Sequence, residues 1–386
     1  MAGILAKLLA DARYAKAAGW LARWLDLKVV QVAVPQRIGH LALEGDSFLK
    51  DYRLRCGRFP VAIMIEPDHG GFANPVLAQY LDRYIHVIPR TAEAIALEAR
   101  LRTEGFVEET APYAVAMYET ARCFDVYRRW GARGPLFCLT AAHRKATAAA
   151  LAQMGVPDGA WFVCLHARGG GYSPSDEHWH LHRNVDIADY DEAIGLITKR
   201  GGWCIRMGDP TMPPMVPRPN VVDYALCPLK SPLLDIGLSA SCRFFLGCAS
   251  GLYNVAAMFG RPSILVNTTP LSGSYALNAG DLALPQAVQT REGRTLSFGE
   301  VFASKVADFR LAEEFVAAGL VARNVTPAEI REVTEEMLDR LDGTASYTDD
   351  DASRQALFRN YLRPGHYSFG GDSRIGRDFL RRNLPL

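Results

Sequence analysis

Apolar and polar residues alternate along this chain in blocks that predict strands and helices in turn. Short runs rich in β-branched residues predict buried strands at 27–35, 59–67 and 85–89. Segments with apolar residues at helical spacing follow two of them, at 74–84 and 91–102. A helix between successive strands is the usual connection of parallel strands. The first part of the chain is therefore predicted to be a parallel α/β domain.

The same alternation starts again near residue 136. The predicted strands of this second series are 161–165, 203–210 with its closing turn, 221–225, 243–248 and 262–267. The predicted helices are 140–155, 190–202, 232–242, 250–260, 298–341 and 348–362. Two such series fit two Rossmann-like domains that face a cleft, in which ligands bind at the carboxyl ends of the strands.

Four segments follow from this pattern. They are an N-terminal amphipathic helical segment (1–29), a first Rossmann-like domain (30–150), a second Rossmann-like domain (151–345), and a C-terminal helix expected to return to the first domain (346–386). Residues 3–26 contain two apolar stripes flanked by lysines and arginines. This pattern favours docking onto an anionic membrane surface. A helix packed on the protein itself is the alternative interpretation.

Composition narrows the possible functions. The 386 residues are 49% hydrophobic and 22% charged with a net charge of +1, which argues against a bulk nucleic-acid binder. The eight cysteines include no CxxC pair, so a disulfide or zinc framework is not expected and a reducing compartment is favoured. Because no apolar run reaches about 18 residues, we predict no membrane span. We expect a cytoplasmic protein, with the inner face of the cytoplasmic membrane as its docking surface.

The strand at 161–165 ends in the sequence LHARGGGY. It delivers His166 and Arg168 into a glycine-rich turn that includes Gly169 and Gly170. A guanidinium offers a planar set of donors to phosphate oxygens, and glycines let the backbone approach a ligand closely. We predict that Arg168 binds a diphosphate; a structural salt bridge at the strand end is the alternative.

A second anion-binding candidate follows the strand at 243–248. Ala249, Ser250 and Gly251 open the predicted helix there, and backbone amides at a helix start bind anions. Ser250 as an ordinary N-cap is the alternative. No Gly-Lys-Ser/Thr sequence follows, so this turn is not a P-loop.

Two further segments carry polar groups at strand ends. Arg206 and Asp209 belong to the strand and turn RMGDP, where Asp209 could reach a ribose or a base edge and Arg206 is either a ligand contact or a paired buried cation. The segment HWHLHRN contains Arg183 and Asn184, which we predict to contact the same ligand. No carboxylate or cysteine completes a metal site with its histidines, so we predict no metal.

Loops of the first half could bind a hydroxyl-bearing acceptor and supply a general base. The candidate residues are Gly39, His40, Glu44, Asp46, Glu66, Asp68 and His69. We assign Gly39, His40 and Glu66 to acceptor binding, and Glu44, Asp68 and His69 to base catalysis. Spacing alone does not choose the base among Glu44, Asp46, Glu66, Asp68 and His69.

The segments RIGHLALEGDSFL, LHARGGGY, HRNVDIADY, IRMGDPTMP and DIGLSASCRFFLGCASGL resemble a family of predicted bacterial glycosyltransferases found with surface-polysaccharide genes. The resemblance covers roughly residues 30–340. More distantly, His-x-Arg after a strand is similar to that of fucosyltransferases of the GT-B fold. The chain differs from those enzymes in Ala167 and in the glycine run after Arg168, so the resemblance does not extend to the donor sugar.

The resemblance implies a GT-B glycosyltransferase that is inverting and independent of metal. Arg168 and Ser250 would then hold the diphosphate of a nucleotide-diphosphate sugar, with a GDP-linked sugar among the candidates. The second domain would bind this donor, and the first would present a hydroxyl of a surface glycan, either polysaccharide, lipopolysaccharide or glycoprotein. No cofactor is implied. A sugar-nucleotide epimerase of the same fold and a non-catalytic glycan- or nucleotide-binding protein are the alternatives.

Overall fold

The computed structural model describes residue 20 and residues 22–68, 70–115, 121–172 and 177–385. The elements of the first half are β1 (Leu27–Gln31), α1 (Ile38–Cys56), β2 (Val61–Ile65), α2 (Pro75–Leu81), β3 (Ile85–Ile88), α3 (Ala92–Thr103), β4 (Val107–Glu109) and α4 (Arg122–Trp130). The four strands form a parallel sheet in the order β3-β2-β1-β4. This half of the chain has the predicted parallel α/β architecture.

The second half builds a larger sheet. Its elements up to residue 285 are α5 (Ala141–Gln153), β5 (Phe162–His166), α6 (Glu177–His180), α7 (Asp191–Lys199), β6 (Trp203–Arg206), β7 (Val221–Val222), α8 (Pro232–Ser241), β8 (Phe244–Cys248), α9 (Gly251–Met258), β9 (Ser263–Thr268) and β10 (Leu282–Pro285). The remaining elements are β11 (Ala287–Thr290), α10 (Phe298–Phe302), α11 (Ala312–Ala317), β12 (Leu320–Arg323), α12 (Pro327–Asp342), α13 (Asp349–Tyr361), β13 (Arg374–Ile375) and α14 (Arg377–Asn383). Seven strands form a parallel sheet in the order β13-β10-β9-β8-β5-β6-β7.

The central strands of the larger sheet are apolar throughout. Strands β5, β8 and β9 are buried along their whole length. Continuous apolar runs of this kind are typical of parallel sheets that helices cover on both faces. The two parallel sheets confirm the predicted mixed α/β class.

The segment 298–341 is not the continuous helix that the sequence pattern predicted. Helices α10 and α11 are short, and β12 pairs antiparallel with β11. Gly319 follows α11 with φ +69°, a left-handed conformation that ends a helix. The next four residues alternate between half-buried and exposed positions, which is the pattern of an exposed strand. Only the last part of the segment forms a long helix, the 16-residue α12.

The C-terminal segment, which we expected to return to the first domain, joins the larger sheet, and a Cβ atom added to Gly370 would lie 3.6 Å from Arg128 Nε of α4. Strand β13 pairs in parallel with β10 at the edge of the larger sheet. The Gln355 side chain of α13 accepts the Ile375 N–H at 3.2 Å, and α14 packs against α12 and α13. Apolar side chains explain this position, because Ile375, Phe379 and Leu380 are buried in the core of the second half.

The two halves meet where α1 packs against α9. A Cβ atom added to Gly39 would lie 2.6 Å from Gly251 Cα, so the two helices touch backbone to backbone at their first turns. Asn254 Nδ2 in α9 donates to the Gly39 carbonyl oxygen at 3.3 Å. One cluster of buried apolar residues runs from the smaller sheet through Leu41 of α1 and Val255 of α9 into the larger sheet. The two sheets therefore share a core at this crossing.

The N-terminal prediction lies mostly outside the described residues, since residues 1–19 and 21 belong to none of the described ranges. The rings of Trp20 and Trp24 stack with centroids 6.3 Å apart, and both side chains are exposed. In the part of the chain that the structure describes, no helix is long and apolar enough to cross a membrane.

We predict that Gly39→Ala destabilises the fold by about 1–3 kcal/mol, because the added methyl group would overlap the backbone of α9 and force α1 and α9 apart. Urea denaturation followed by circular dichroism measures the change.

Gly195→Ala is the matched control. Gly195 lies in the middle of α7, and an added Cβ would have no heavy atom within 4 Å. Alanine should therefore raise the free energy of unfolding by about 0.5–1 kcal/mol through its helix propensity. Equal effects of the two substitutions would contradict the close packing of α1 on α9.

Candidate active site

The two glycine-containing turns predicted to bind an anion lie side by side. Strands β5 and β8 are neighbours in the larger sheet, with His166 paired to Gly247 in the register. The Arg168 backbone N–H donates to Cys248 Sγ at 3.2 Å, which joins the two turns directly. The ends of β5 and β8 thus form one continuous edge of the site.

Two arginine side chains lie at this edge. Arg168 Nη1 donates to the His180 carbonyl oxygen at 3.3 Å and to Asn184 Oδ1. Arg183 Nη2 donates to the Ala249 carbonyl oxygen at 2.6 Å, and its Nε is buried without a hydrogen-bond partner among the described residues. Burial, together with the positive charge of Arg168, lowers the pKa of Arg183 from its ordinary value.

Neither guanidinium has a carboxylate partner in the part of the chain that the structure describes: the ion pairs there, all within 4.0 Å, include none to Arg168 or Arg183. Both side chains are half-buried, and partial burial of like charges without a counter-charge is unfavourable. The arrangement is therefore one that an anionic ligand would stabilise.

Helix α9 begins beside these arginines. Ser250 is its N-cap residue by backbone conformation, yet its hydroxyl makes no capping bond, and its Oγ has no partner among the described residues. The first amides of the helix consequently lack the usual side-chain acceptor. Helix α1, whose Arg37 N-cap likewise makes no side-chain capping bond, starts against α9 through the contact of Gly39 with Gly251. Two helix N-termini, each partially positive, converge at this point.

His166 adds a polar but uncharged group. It is buried at the end of β5, with Nδ1 3.9 Å from Cys248 Sγ. Burial lowers its pKa to about 4, so the imidazole is neutral near pH 7. A neutral ring beside the arginines adds hydrogen-bonding capacity without adding to their repulsion.

Asn184 positions Arg168 through a hydrogen-bond network that no sequence motif predicts. Its Oδ1 accepts from Arg168, and its carbonyl oxygen accepts from Asn324 Nδ2 at 3.0 Å. Gln286 Nε2 in turn donates to Asn324 Oδ1 at 2.8 Å and to the His182 carbonyl oxygen at 2.6 Å. Asn324 and Gln286 are more than a hundred residues from Asn184 or His182, and no local motif marks them.

The remaining residues predicted to contact the donor lie at the same sheet edge in different surroundings. Arg206 is 2% exposed, and its Nη1 donates to Asp223 Oδ1 at 2.8 Å, so it is a paired buried cation. Asp209 accepts the Thr211 N–H at 2.9 Å in the turn after β6. Gly169 has open space around its Cα, and Gly170 begins a short 3₁₀ turn.

The histidine-rich segment packs against the protein. The His182 ring lies 5.3 Å from the Phe315 ring of α11, and both of its ring nitrogens are buried without a partner among the described residues. No group of three histidine, cysteine or acidic side chains in the described ranges is arranged to hold a metal ion.

In the first half, Glu44 and His40 form a hydrogen-bonded pair on α1. His40 Nδ1 lies 2.6 Å from Glu44 Oε1, while Glu44 itself is completely buried. Asp46 is also buried, where it accepts from Lys50 Nζ at 2.7 Å and from the Tyr127 hydroxyl. Glu44 and Asp46 are the two carboxylate candidates for the base on this helix, and neither reaches the surface.

A cavity of about 370 Å³ lies at the carboxyl ends of the strands of the smaller sheet. Its lining includes Ala33 and Gln36 from the loop before α1, with Phe72, Asp68 and Arg90 opposite. Asp68 Oδ2 lies 3.7 Å from Arg90 Nη2. Glu66 is exposed near the end of β2, and His69 lies outside the described residues.

Comparisons with known proteins identify no matching family model and no similar curated sequence. Several solved structures, including the following three, resemble the chain at low similarity. The glycosyl transferase family 9 protein of Veillonella parvula DSM 2008 is 11% identical over 62% of this chain and 79% of its own, with a TM-score of 0.38. The E. coli ADP-heptose LPS heptosyltransferase II is 14% identical over 63% and 86%, with a TM-score of 0.36.

The third is the iron-containing dodecameric glycosyltransferase TibC from enterotoxigenic E. coli H10407. It is 12% identical over 62% of this chain and 57% of its own, with a TM-score of 0.33. None of the three is described as a fucosyltransferase. Because every TM-score is below 0.5, the function of this chain has to be argued from its own residues.

The buried histidines predict a loss of stability in acid. Burial lowers the pKa of both His166 and His182 from 6.5 to about 4, so between these values the unfolded chain binds protons that the folded protein excludes. The contribution of these histidines to stability should therefore be complete above pH 6.5, and the free energy of unfolding should fall as the pH approaches 4. In His182→Gln the slope of the free energy of unfolding against pH should decrease by up to about 1.4 kcal/mol per pH unit. Urea titrations between pH 7 and 4.5 measure it, and an unchanged slope would contradict the assignment.

Proposed function

We propose that this protein is a GT-B glycosyltransferase that moves a sugar from a nucleotide-diphosphate donor to a hydroxyl group of a surface glycan. One observation carries the proposal: Arg168 and Arg183 lie without carboxylate partners among the described residues, beside the converging N-termini of α1 and α9.

A diphosphate is the ligand that suits this arrangement. Each guanidinium has five N–H donors, and the phosphate oxygens can accept from both arginines and from helix amides at once. Ser250 Oγ supplies a further hydroxyl. A single carboxylate would leave most of these donors unsatisfied, whereas a diphosphate has enough oxygens and charge for both side chains.

The same groups support transfer chemistry. When an acceptor hydroxyl attacks the anomeric carbon, the bond to the donor's diphosphate breaks and its electron pair leaves with the diphosphate. Fixed positive groups at the leaving oxygens stabilise the charge that develops there. Direct displacement inverts the anomeric carbon. In this proposal arginines and helix amides supply the positive charge, so the reaction should proceed in the presence of a chelator.

The acceptor would lie on the side of the first domain, where the cavity above the smaller sheet opens beside the loop leading into α1. Asp68, which lines this cavity, and Glu66, which is exposed near the end of β2, are our candidates for contacts with acceptor hydroxyls. Contact of residues 3–26 with the inner face of the cytoplasmic membrane would bring a lipid-linked acceptor to this cavity.

Arg168→Ala should reduce transfer about 10²–10³-fold, as does removal of one donor to a developing anion in other enzymes. It should also weaken binding of the nucleoside diphosphate. The measurement is transfer from a panel of nucleotide sugars, with calorimetric titration of GDP, UDP and ADP. Arg218→Ala is the control, because Arg218 is paired with Asp191 on the same domain at 2.9 Å and should leave both quantities unchanged.

The same assay separates the alternatives. An epimerase would convert the donor sugar with no acceptor present. A non-catalytic binding protein would bind a nucleotide or glycan without consuming any donor. The absence of both transfer and nucleoside diphosphate binding across the panel would refute the proposal.

A further inference from the structure

We infer that His40, oriented by Glu44, is the base that takes the proton from the acceptor hydroxyl. This inference rests on the proposed transferase function and assigns its base. The sequence pattern made Glu44 a base candidate and His40 an acceptor contact. The contacts of the two side chains indicate the reverse: His40 is the base and Glu44 holds it in position.

Glu44 is fixed beneath the surface by three donors. Its Oε2 accepts from the Ala33 backbone N–H at 2.9 Å and from the Thr110 hydroxyl at 2.5 Å, and its Oε1 lies 2.6 Å from His40 Nδ1. The side chain has 0% exposure. A carboxylate so enclosed cannot touch a substrate hydroxyl, but it can hold a neighbouring group in one orientation. Glu44 is therefore a positioning residue.

His40 is the group that it holds. The carboxylate accepts from Nδ1–H, so the neutral imidazole carries its lone pair on Nε2. The side chain is 21% exposed, and a substrate can therefore reach it. When Nε2 takes a proton, the Glu44 charge stabilises the imidazolium that forms. A histidine oriented by a buried carboxylate is the usual construction of a general base.

His40 lies between the proposed donor site and the cavity proposed for the acceptor. The preceding residue, Gly39, touches Gly251 at the start of α9, beside the proposed diphosphate site. Ala33, which binds Glu44 through its N–H, also lines the cavity of the smaller sheet. In this proposal the acceptor extends from the cavity towards the crossing of α1 and α9, where its hydroxyl meets His40 Nε2 beside the donor. The O–H proton moves to Nε2 as the new C–O bond forms and the bond to the diphosphate breaks.

The other described candidates lack this combination. Asp68 is 61% exposed, with the Arg90 guanidinium 3.7 Å away as its counter-ion. Asp46 is buried in its pair with Lys50. Among the described base candidates, His40 alone combines an orienting carboxylate, access to solvent and a place next to the crossing of α1 and α9.

The test compares three variants with the wild-type protein. His40→Ala should lower kcat about 10²–10⁴-fold while nucleoside diphosphate affinity and the urea midpoint stay near wild-type values. Added imidazole should restore part of the His40→Ala rate but none of the Arg168→Ala rate. Glu44→Gln keeps an oxygen that can accept from His40 Nδ1–H but removes the negative charge, so it should lower kcat at least about tenfold, and nitrogen NMR should show a weaker Nδ1–H hydrogen bond.

His86→Ala is the matched control. His86 also has a carboxylate four residues away, Asp82 Oδ1 at 3.1 Å from its Nδ1, but the pair lies on the surface by β3. The kcat of His86→Ala should equal that of the wild-type protein. Where His40→Ala does not fold, His40→Gln, whose amide can still donate to Glu44 but cannot act as a base, gives the same readout.

The failures of the two proposals are distinguishable. Wild-type transfer with undiminished kcat in His40→Ala would overturn the base assignment and leave the transferase function standing. A wild-type protein that binds nucleoside diphosphates but transfers no sugar would overturn both. Loss of nucleoside diphosphate affinity in His40→Ala equal to its loss of rate would overturn the base assignment in favour of donor binding.

Discussion

The backbone contact of Gly39 with Gly251 is the constraint on which the rest of this structure depends. Because neither residue has a side chain, α1 and α9 approach closely enough for their N-termini to lie together. The apolar cores of the two sheets join along the same helices. The close contact thus brings the carboxyl edge of the larger sheet, with its two arginines, next to the helix that carries His40.

An electrostatic imbalance follows from this arrangement. Many charged side chains among the described residues have partners of opposite charge, including the deeply buried Arg206 and Lys50. Arg168 and Arg183 instead donate to carbonyl and amide oxygens, with Asn184, Asn324 and Gln286 holding one of them in place. Neutral acceptors orient a guanidinium without cancelling its charge. Among the described residues no carboxylate pairs with either guanidinium, an arrangement that an anionic ligand would stabilise.

The sequence predicted the parts of the fold that local patterns determine. Buried strands such as β5 and β8 have unbroken apolar runs, and the glycine turns after them stand out beside an arginine and a serine. The antiparallel β11–β12 pair and the position of β13 depend on contacts between distant segments, so periodicity could not reveal them. For the same reason Asn324 and Gln286 gave no signal: their polar atoms matter only because the fold brings them to Asn184 and His182.

Burial decides what spacing left open among the base candidates. In the sequence, His40 and Glu44 are an i,i+4 pair whose members look equally available. The fold places Thr110 from the end of β4 and Ala33 from the end of β1 against one carboxylate, and this encloses Glu44 while leaving His40 open. Strand β1 begins at Leu27 and β4 at Val107, 80 residues further along the chain. The proposed choice of base thus depends on the sheet order, because β1 and β4 are neighbours and the segments at their ends bring both donors to the same oxygen.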